Sequence, residues 1–163
     1  MSKKNVAVVM GGYSDEYKVS LKSGQLIYDS LDREKYNVYK VVILKSEWYF
    51  LNDNEEKLPI NKGDFSVDIK NGEKLKFDVC FNIIHGKPGE NGELQAYWDM
   101  IGQKYTGCNF YQSALTFNKK DTLAVLSKYG IPSAKSIYLK KGDDINVEKI
   151  IEELKLPLFV KPN

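Results

Sequence analysis

The sequence predicts an α/β fold built on a mainly parallel sheet with helices wound onto it. Two apolar runs and the loops after them carry that expectation. Val6-Ala-Val-Val-Met10 and Phe77-Asp-Val-Cys-Phe-Asn-Ile-Ile84 are short and almost continuously apolar, as strands buried on both faces require. Each run ends in a glycine-bearing loop, and each loop opens a helical pattern, so strand, glycine turn and helix recur in that order.

Gly11-Gly12 ends the first run, and Tyr13-Ser-Asp-Glu16 leads into a helical stretch from about Glu16 to Leu31. Ser20, Gly24, Ile27 and Leu31 fall on one stripe of it at three- and four-residue spacing. The small residues Ser20 and Gly24 would let this helix lie close to a sheet. Tyr36 to Leu44 reads as the second strand, and strand–helix–strand order implies a parallel pair with a right-handed crossover. Residues 46–76 differ. Trp48, Tyr49 and Phe50, Phe65 to Ile69, and the turn signals Asn52-Asp-Asn54 and Asn71-Gly72 suggest short antiparallel strands or hairpins.

Phe77 to Ile84 reads as a central strand, followed by the second glycine loop and a helix from Leu94 to about Gly102. Ser113 to Phe117 suggests a short helix or turn. Asn118 is placed to cap a helix from Lys119 to Tyr129, with Gly130 and Pro132 to stop it. Ser136 to Leu139 and Leu156 to Pro162 read as strands, and Val147 to Leu154 as a helix. A domain boundary falls between Thr116 and Asn118, giving units 1–117 and 118–163.

Composition is that of an ordinary globular protein. The net charge of +2, from many lysines and the single arginine Arg33, gives no electrostatic case for nucleic acid. Cys80 and Cys108 lie far apart with no metal-ligand spacing, and Cys80 sits in an apolar run as a small hydrophobe would. No apolar segment reaches the length of a membrane span and no signal peptide is visible, so a cytoplasmic setting is expected.

Chemistry concentrates in His85-Gly-Lys-Pro-Gly-Glu-Asn-Gly-Glu-Leu-Gln95, which holds the only histidine, the glycines Gly86, Gly89 and Gly92, and the carboxylates Glu90 and Glu93. It sits at the carboxyl end of an expected strand, the edge where ligands bind in open α/β sheets. Glycines there let backbone approach a ligand closely. A lone histidine excludes a zinc site. Gly11-Gly12 lacks the spaced third glycine of a dinucleotide fingerprint.

Gly11-Gly-Tyr-Ser-Asp-Glu-Tyr-Lys-Val-Ser20 resembles the first loop of D-alanine–D-alanine ligases, and His85-Gly-Lys-Pro-Gly-Glu-Asn-Gly resembles their second. Tyr105-Thr-Gly107, Ser113-Ala-Leu and Lys119 look like their hinge into the ATP-grasp region, and Leu156-Pro-Leu-Phe-Val-Lys-Pro162 looks like the strand bearing their phosphate-side lysine. The resemblance covers nearly the whole chain except residues 46–76. It implies a Rossmann-like pre-ATP-grasp domain over 1–117 that binds substrate, and the beginning of an ATP-grasp α+β domain over 118–163. The implied activity is ATP-dependent formation of D-alanyl-D-alanine for peptidoglycan synthesis through an acylphosphate. The implied partners are D-alanine, ATP and magnesium, with a homodimer joined through the N-terminal domain. In the family the magnesium carboxylates lie beyond the position matching Asn163, so the chain alone is expected to lack turnover.

On this resemblance Glu16 would bind the ammonium of the first D-alanine, with Ser20 supporting it as a further catalytic-site residue. His85 would sit beside that substrate's carboxylate with Gly86, and Glu90 would organise the loop by accepting backbone N–H bonds. Lys119 and Lys161 would contact ATP phosphates. A plainer reading stands beside each: Glu16 as an acid favoured by a helix start, Ser20 as a small packing residue, His85 as a core histidine, and the lysines as solvated surface. Lys18, Asn91 and Asn118 depart from residues frequent in the family, Asn91 and Asn118 each replacing an aspartate. Two other functions stay open: a related carboxylate–amine ligase making D-alanine–D-lactate or D-alanine–D-serine, and a non-catalytic nucleotide-binding module.

Overall fold

The computed structural model describes residues 2–69 and 72–163. The chain divides into two compact units, Met1–Ala114 and Leu115–Asn163.

The first unit is mixed α/β. Strand β1 (Lys4–Gly11) leads through α1 (Tyr17–Ser30) to β2 (Tyr36–Ile43). Then come β3 (Trp48–Leu51), β4 (Lys57–Asn61), β5 (Ser66–Asp68), β6 (Lys74–Leu75) and β7 (Val79–Asn82), followed by α2 (Glu93–Ile101). The sheet order is β6-β5-β4-β3-β2-β1-β7. β1 pairs in parallel with β2 and β7, and every pairing from β2 outward to β6 is antiparallel. Strands β3 to β6 therefore form an antiparallel meander on one side of a parallel core. Asn71, half of the expected Asn71-Gly72 turn, lies outside the described residues.

Strand β1 is buried on both faces, and its alternation assigns the two layers. Val8 and Met10, with Val38 and Val42 of β2, face Leu21, Ile27 and Tyr28 of α1. Ala7 and Val9, with Val41 and Ile43, face an opposite core that includes Leu94 and Trp98 of α2. On α1 the buried residues are Ser20 and Gly24, the small members of the expected stripe. A Cβ on Gly24 would stand 2.7 Å from Met10 Cβ, so the helix lies as close to β1 as a hydrogen side chain permits.

The opposite core is aromatic. Phe65 meets Trp48, Phe77, Tyr97 and Trp98 edge-on, with centroids 5.7–6.4 Å apart, and Trp98 stacks on Tyr105 at 5.4 Å. Phe65 adopts a left-handed backbone at φ 54, which a bulky residue rarely does. Its ring is wholly buried among those partners, and that packing offsets the backbone cost.

Helix α3 (Phe110–Phe117) runs across the division between units and starts earlier than the sequence suggests. The second unit holds α4 (Lys119–Lys128) and α5 (Val147–Leu154). The Asn118 side chain caps α4 by accepting from the Asp121 N–H, and Asn146 caps α5 by accepting from Lys149. Two sequence expectations are corrected by the structure. Ser136 to Leu139 and Leu156 to Pro162 form no strand. A strand exists through its ladder, and neither segment has a paired neighbour. Phe159 and Val160 are 89% and 90% exposed accordingly.

Gly24→Ala should lower stability by about 1–3 kcal/mol, the usual cost of overpacking, read as a lower midpoint in denaturant; an unchanged midpoint would show that Met10 yields freely. Amides from Leu156 to Lys161 should exchange near their intrinsic rates while those of Val79 to Asn82 stay protected. Equal protection would mean that the terminal segment is paired.

Candidate functional site

Because β1 and β7 are parallel neighbours, with Val9 opposite Asn82, the loops that leave their carboxyl ends emerge side by side. The first loop begins at Gly11 and Gly12, at φ 102 and 117. A Cβ on Gly12 would lie 2.9 Å from the Ile84 side chain, so the left-handed turn and the close approach both demand glycine.

The loops are joined by hydrogen bonds. The buried Ser20 hydroxyl accepts the Gly11 N–H at 2.9 Å and donates to the Ile83 carbonyl at 2.7 Å. The Ser14 hydroxyl donates to the His85 carbonyl at 3.0 Å, and the Tyr13 N–H donates to the Lys87 carbonyl at 2.7 Å. The second loop also closes on itself. Gly86 N–H donates to the Glu90 carboxylate at 2.7 Å, while Glu90 N–H donates to the Gly86 carbonyl at 2.9 Å.

Glu16 occupies the N-cap of α1 without capping it, since its side chain makes no hydrogen bond there. The carboxylate is exposed and turned toward the second loop: a Cβ on Gly86 would stand 3.6 Å from Glu16 Oε2 and 2.8 Å from Ser14 Oγ. Gly86, at φ 74, thus leaves the gap between the loops open. His85 is the adjoining residue, and its Nε2 is buried with no hydrogen-bond partner. Asn91 Oδ1 is in the same condition. The first loop therefore brings an exposed carboxylate to the Gly86 turn of the second, and His85, the residue before that turn, holds a buried imidazole nitrogen with no partner, a condition that calls for one.

The structure brings Glu16, His85, Gly86 and Glu90 together at one edge of the sheet. Ser20 belongs to the same assembly, but it is fully buried and its hydroxyl is engaged by backbone, so it ties the loops instead of facing the crevice. Lys119 and Lys161 lie in the second unit and are exposed. There the Lys120 N–H donates to Asn163 Oδ1 at 2.9 Å, which sets the segment bearing Lys161 beside the start of α4. Among the described residues no group of three or more His, Cys, Asp or Glu is placed to hold a metal ion, so these residues do not fit a magnesium site. Burial pushes the Cys80 thiol well above its ordinary value, which leaves it inert.

Sequence reading missed Ser14, Asn82 and Gln95. Ser14 gives no signal beyond a hydroxyl before a helix. Asn82 lies at the end of an apolar strand, and Gln95 shares the buried stripe of α2 with Leu94 and Trp98. A polar residue on an apolar stripe is the signal that would have singled it out.

The model of the D-ala D-ala ligase N-terminus family matches residues 5–108. The chain is 62% identical over 159 residues to a D-alanine--D-alanine ligase of Flavobacterium psychrophilum, covering 98% of this chain and 48% of that protein. The structure of the D-alanine-D-alanine ligase from Coxiella burnetii superposes with a TM-score of 0.83 at 25% identity, over 93% of this chain and 50% of that one. That of the Bacillus anthracis D-alanine--D-alanine ligase complexed with ATP superposes with a TM-score of 0.70 at 29% identity, over 98% and 47%. The chain spans about half the length of the curated relatives it matches. The mixed sheet, the paired glycine loops and the family match over residues 5–108 lead to one conclusion: this chain belongs to the D-ala D-ala ligase N-terminus family.

Proposed function

We propose that the crevice between the two glycine loops is the first D-alanine subsite of an ATP-dependent D-alanine–D-alanine ligase of which this chain forms the amino-terminal half. The observation that carries this reading is the approach of the Glu16 carboxylate to Gly86, whose preceding residue is a histidine with a buried Nε2 that has no partner. An amino acid zwitterion complements both walls, with its ammonium toward Glu16 and its carboxylate toward His85.

The chemistry assigned to the ligase begins with phosphoryl transfer to a carboxylate oxygen of the first D-alanine. The amine of a second D-alanine then attacks the acyl carbon, and phosphate leaves. In that sequence Glu16 anchors and orients the first substrate, and His85 offers an N–H to the carboxylate as its charge is redistributed. Glu90 holds the Gly86 backbone and Ser20 holds the two loops in register, both acting through position. Lys119 and Lys161 are assigned to ATP phosphates, where lysine serves as a mobile point charge. The reading treats 1–117 as a Rossmann-like substrate domain and 118–163 as the beginning of an ATP-grasp domain. It carries with it a cytoplasmic homodimer and a magnesium site formed by residues outside this chain.

Steady-state kinetics on the ligase polypeptide carrying this chain test the assignment. Glu16→Gln keeps the shape and removes the charge. A hydrogen bond to a charged group contributes about 1.5–3 kcal/mol, so the Michaelis constant for the first D-alanine should rise roughly ten- to a hundredfold with that for ATP little changed. Wild-type D-alanine kinetics in this variant would sink the site assignment. His85→Gln should lower kcat as well, by about tenfold to a hundredfold, because the lost donor bears on charge that develops during transfer. A change confined to ATP binding would remove His85 from the substrate carboxylate.

A further inference from the structure

We infer that Asn82 and Gln95 are positioning residues for His85, acting together on the Gly89 carbonyl. This rests on the reading of the crevice as a substrate subsite only for its consequence, since the geometry stands without it.

Two side-chain amides converge on one backbone oxygen. Asn82 Nδ2 donates to the Gly89 carbonyl at 2.8 Å from the end of β7, and Gln95 Nε2 donates to it at 2.5 Å from α2. A carbonyl oxygen has two lone pairs, and here both are taken by fixed donors. Gln95 is 3% exposed, and its own Oε1 is buried without a partner, so its amide is held for the donor it supplies. Asn82 uses its other atom as well, with Oδ1 accepting the Ile84 N–H at 3.3 Å. Gly89 lies tight against Ile84 and Asn82, because a Cβ there would stand 2.5 Å from Ile84 Cβ and 3.0 Å from Asn82 Oδ1.

The planarity of the peptide group carries this constraint along the loop. The Gly89 C=O and the Glu90 N–H belong to one rigid plane and point in opposite directions. With the oxygen clamped inward, the Glu90 N–H is aimed at the Gly86 carbonyl, which it reaches at 2.9 Å. Glu90 is thereby placed to return its carboxylate to the Gly86 N–H at 2.7 Å. That N–H shares a second rigid plane with the His85 C=O, whose oxygen accepts from Ser14 at 3.0 Å. The His85–Gly86 peptide is thus pinned at both ends, and the imidazole hangs from it. The chain of constraint runs from Asn82 and Gln95 through the Gly89–Glu90 plane to the His85–Gly86 plane.

His85 is the only histidine, so its ring resonances report on the loop alone in spectra of the whole 163-residue chain. Gln95→Met removes one donor and keeps the length; Asn82→Asp removes the other and keeps the acceptor toward Ile84. Gln103→Met is the control, because Gln103 makes a comparable amide contact to the Phe77 carbonyl away from the loop. In both clamp variants the His85 ring signals should move or double. Amide exchange at Gly86 and Glu90 should accelerate by about tenfold or more while that at Val8 and Val9 holds. The control should leave His85 unmoved. If Gln95→Met fails to fold, Asn82→Asp carries the test. Unmoved His85 signals in the clamp variants, or loop and core protection falling by one common factor, would overturn the proposal. A D-alanine titration of the wild-type chain separates the two ideas: a shift at His85 supports the subsite reading, whereas no shift counts against that reading and leaves the clamp to stand on its own spectra.

Discussion

The carbonyls of Ile83, His85 and Lys87 lie at alternate positions of one segment, and each accepts a hydrogen bond from the loop after β1 or the helix beyond it. Ser20, Ser14 and the Tyr13 N–H are the donors. Backbone polar groups removed from water must find partners, and beyond the Ile83 N–H, which still donates to the Val9 carbonyl of β1, the sheet supplies none to these carbonyls. The first loop takes over that task. The two loops are thereby a single object with one geometry. Replacing the Ser20 hydroxyl would strand both the Gly11 N–H and the Ile83 carbonyl, and stranded groups cost more than the bond they lose.

This coupling explains the distribution of glycine and small residues around the crevice. Gly12 must pass under Ile84, and Gly86 must leave space for Ser14 and Glu16. Where a side chain would have filled the gap, the backbone lies bare instead, with the Glu16 carboxylate beside it. The charge of Glu16 stands at the start of α1, where the dipole favours an anion, yet its side chain is not spent on capping. A carboxylate left exposed in such a place remains available to a cation.

Rigidity comes from behind the loops. On one face of the sheet α1 lies against Met10 with only Gly24 between them. On the other, Phe65 in its left-handed backbone is wedged among aromatic rings contributed by the meander, α2 and the segment before β7. The meander of β3 to β6 is therefore part of the core, and it touches the first loop as well: the Trp48 indole N–H donates to the Tyr13 hydroxyl at 2.9 Å.

Local pattern in the sequence was enough to place β1, α1, β2, α2, α4 and α5 and the two glycine loops that follow β1 and β7. Strand runs, helix stripes, Asn caps and glycine turns are short-range signals, readable wherever chain neighbours settle the conformation. It was not enough for Ser136 to Leu139 or Leu156 to Pro162. Those segments have strand-like composition, but a strand requires a partner, and pairing is a property of the assembled sheet. Nor could it show that Ser20 ties the loops, or that Asn82 and Gln95 meet on one carbonyl. Such contacts join residues separated by anything from a few to more than sixty positions; the Ser20 tie exists only after β1 and β7 have been laid side by side, and the meeting on Gly89 only after α2 has folded back on the end of β7.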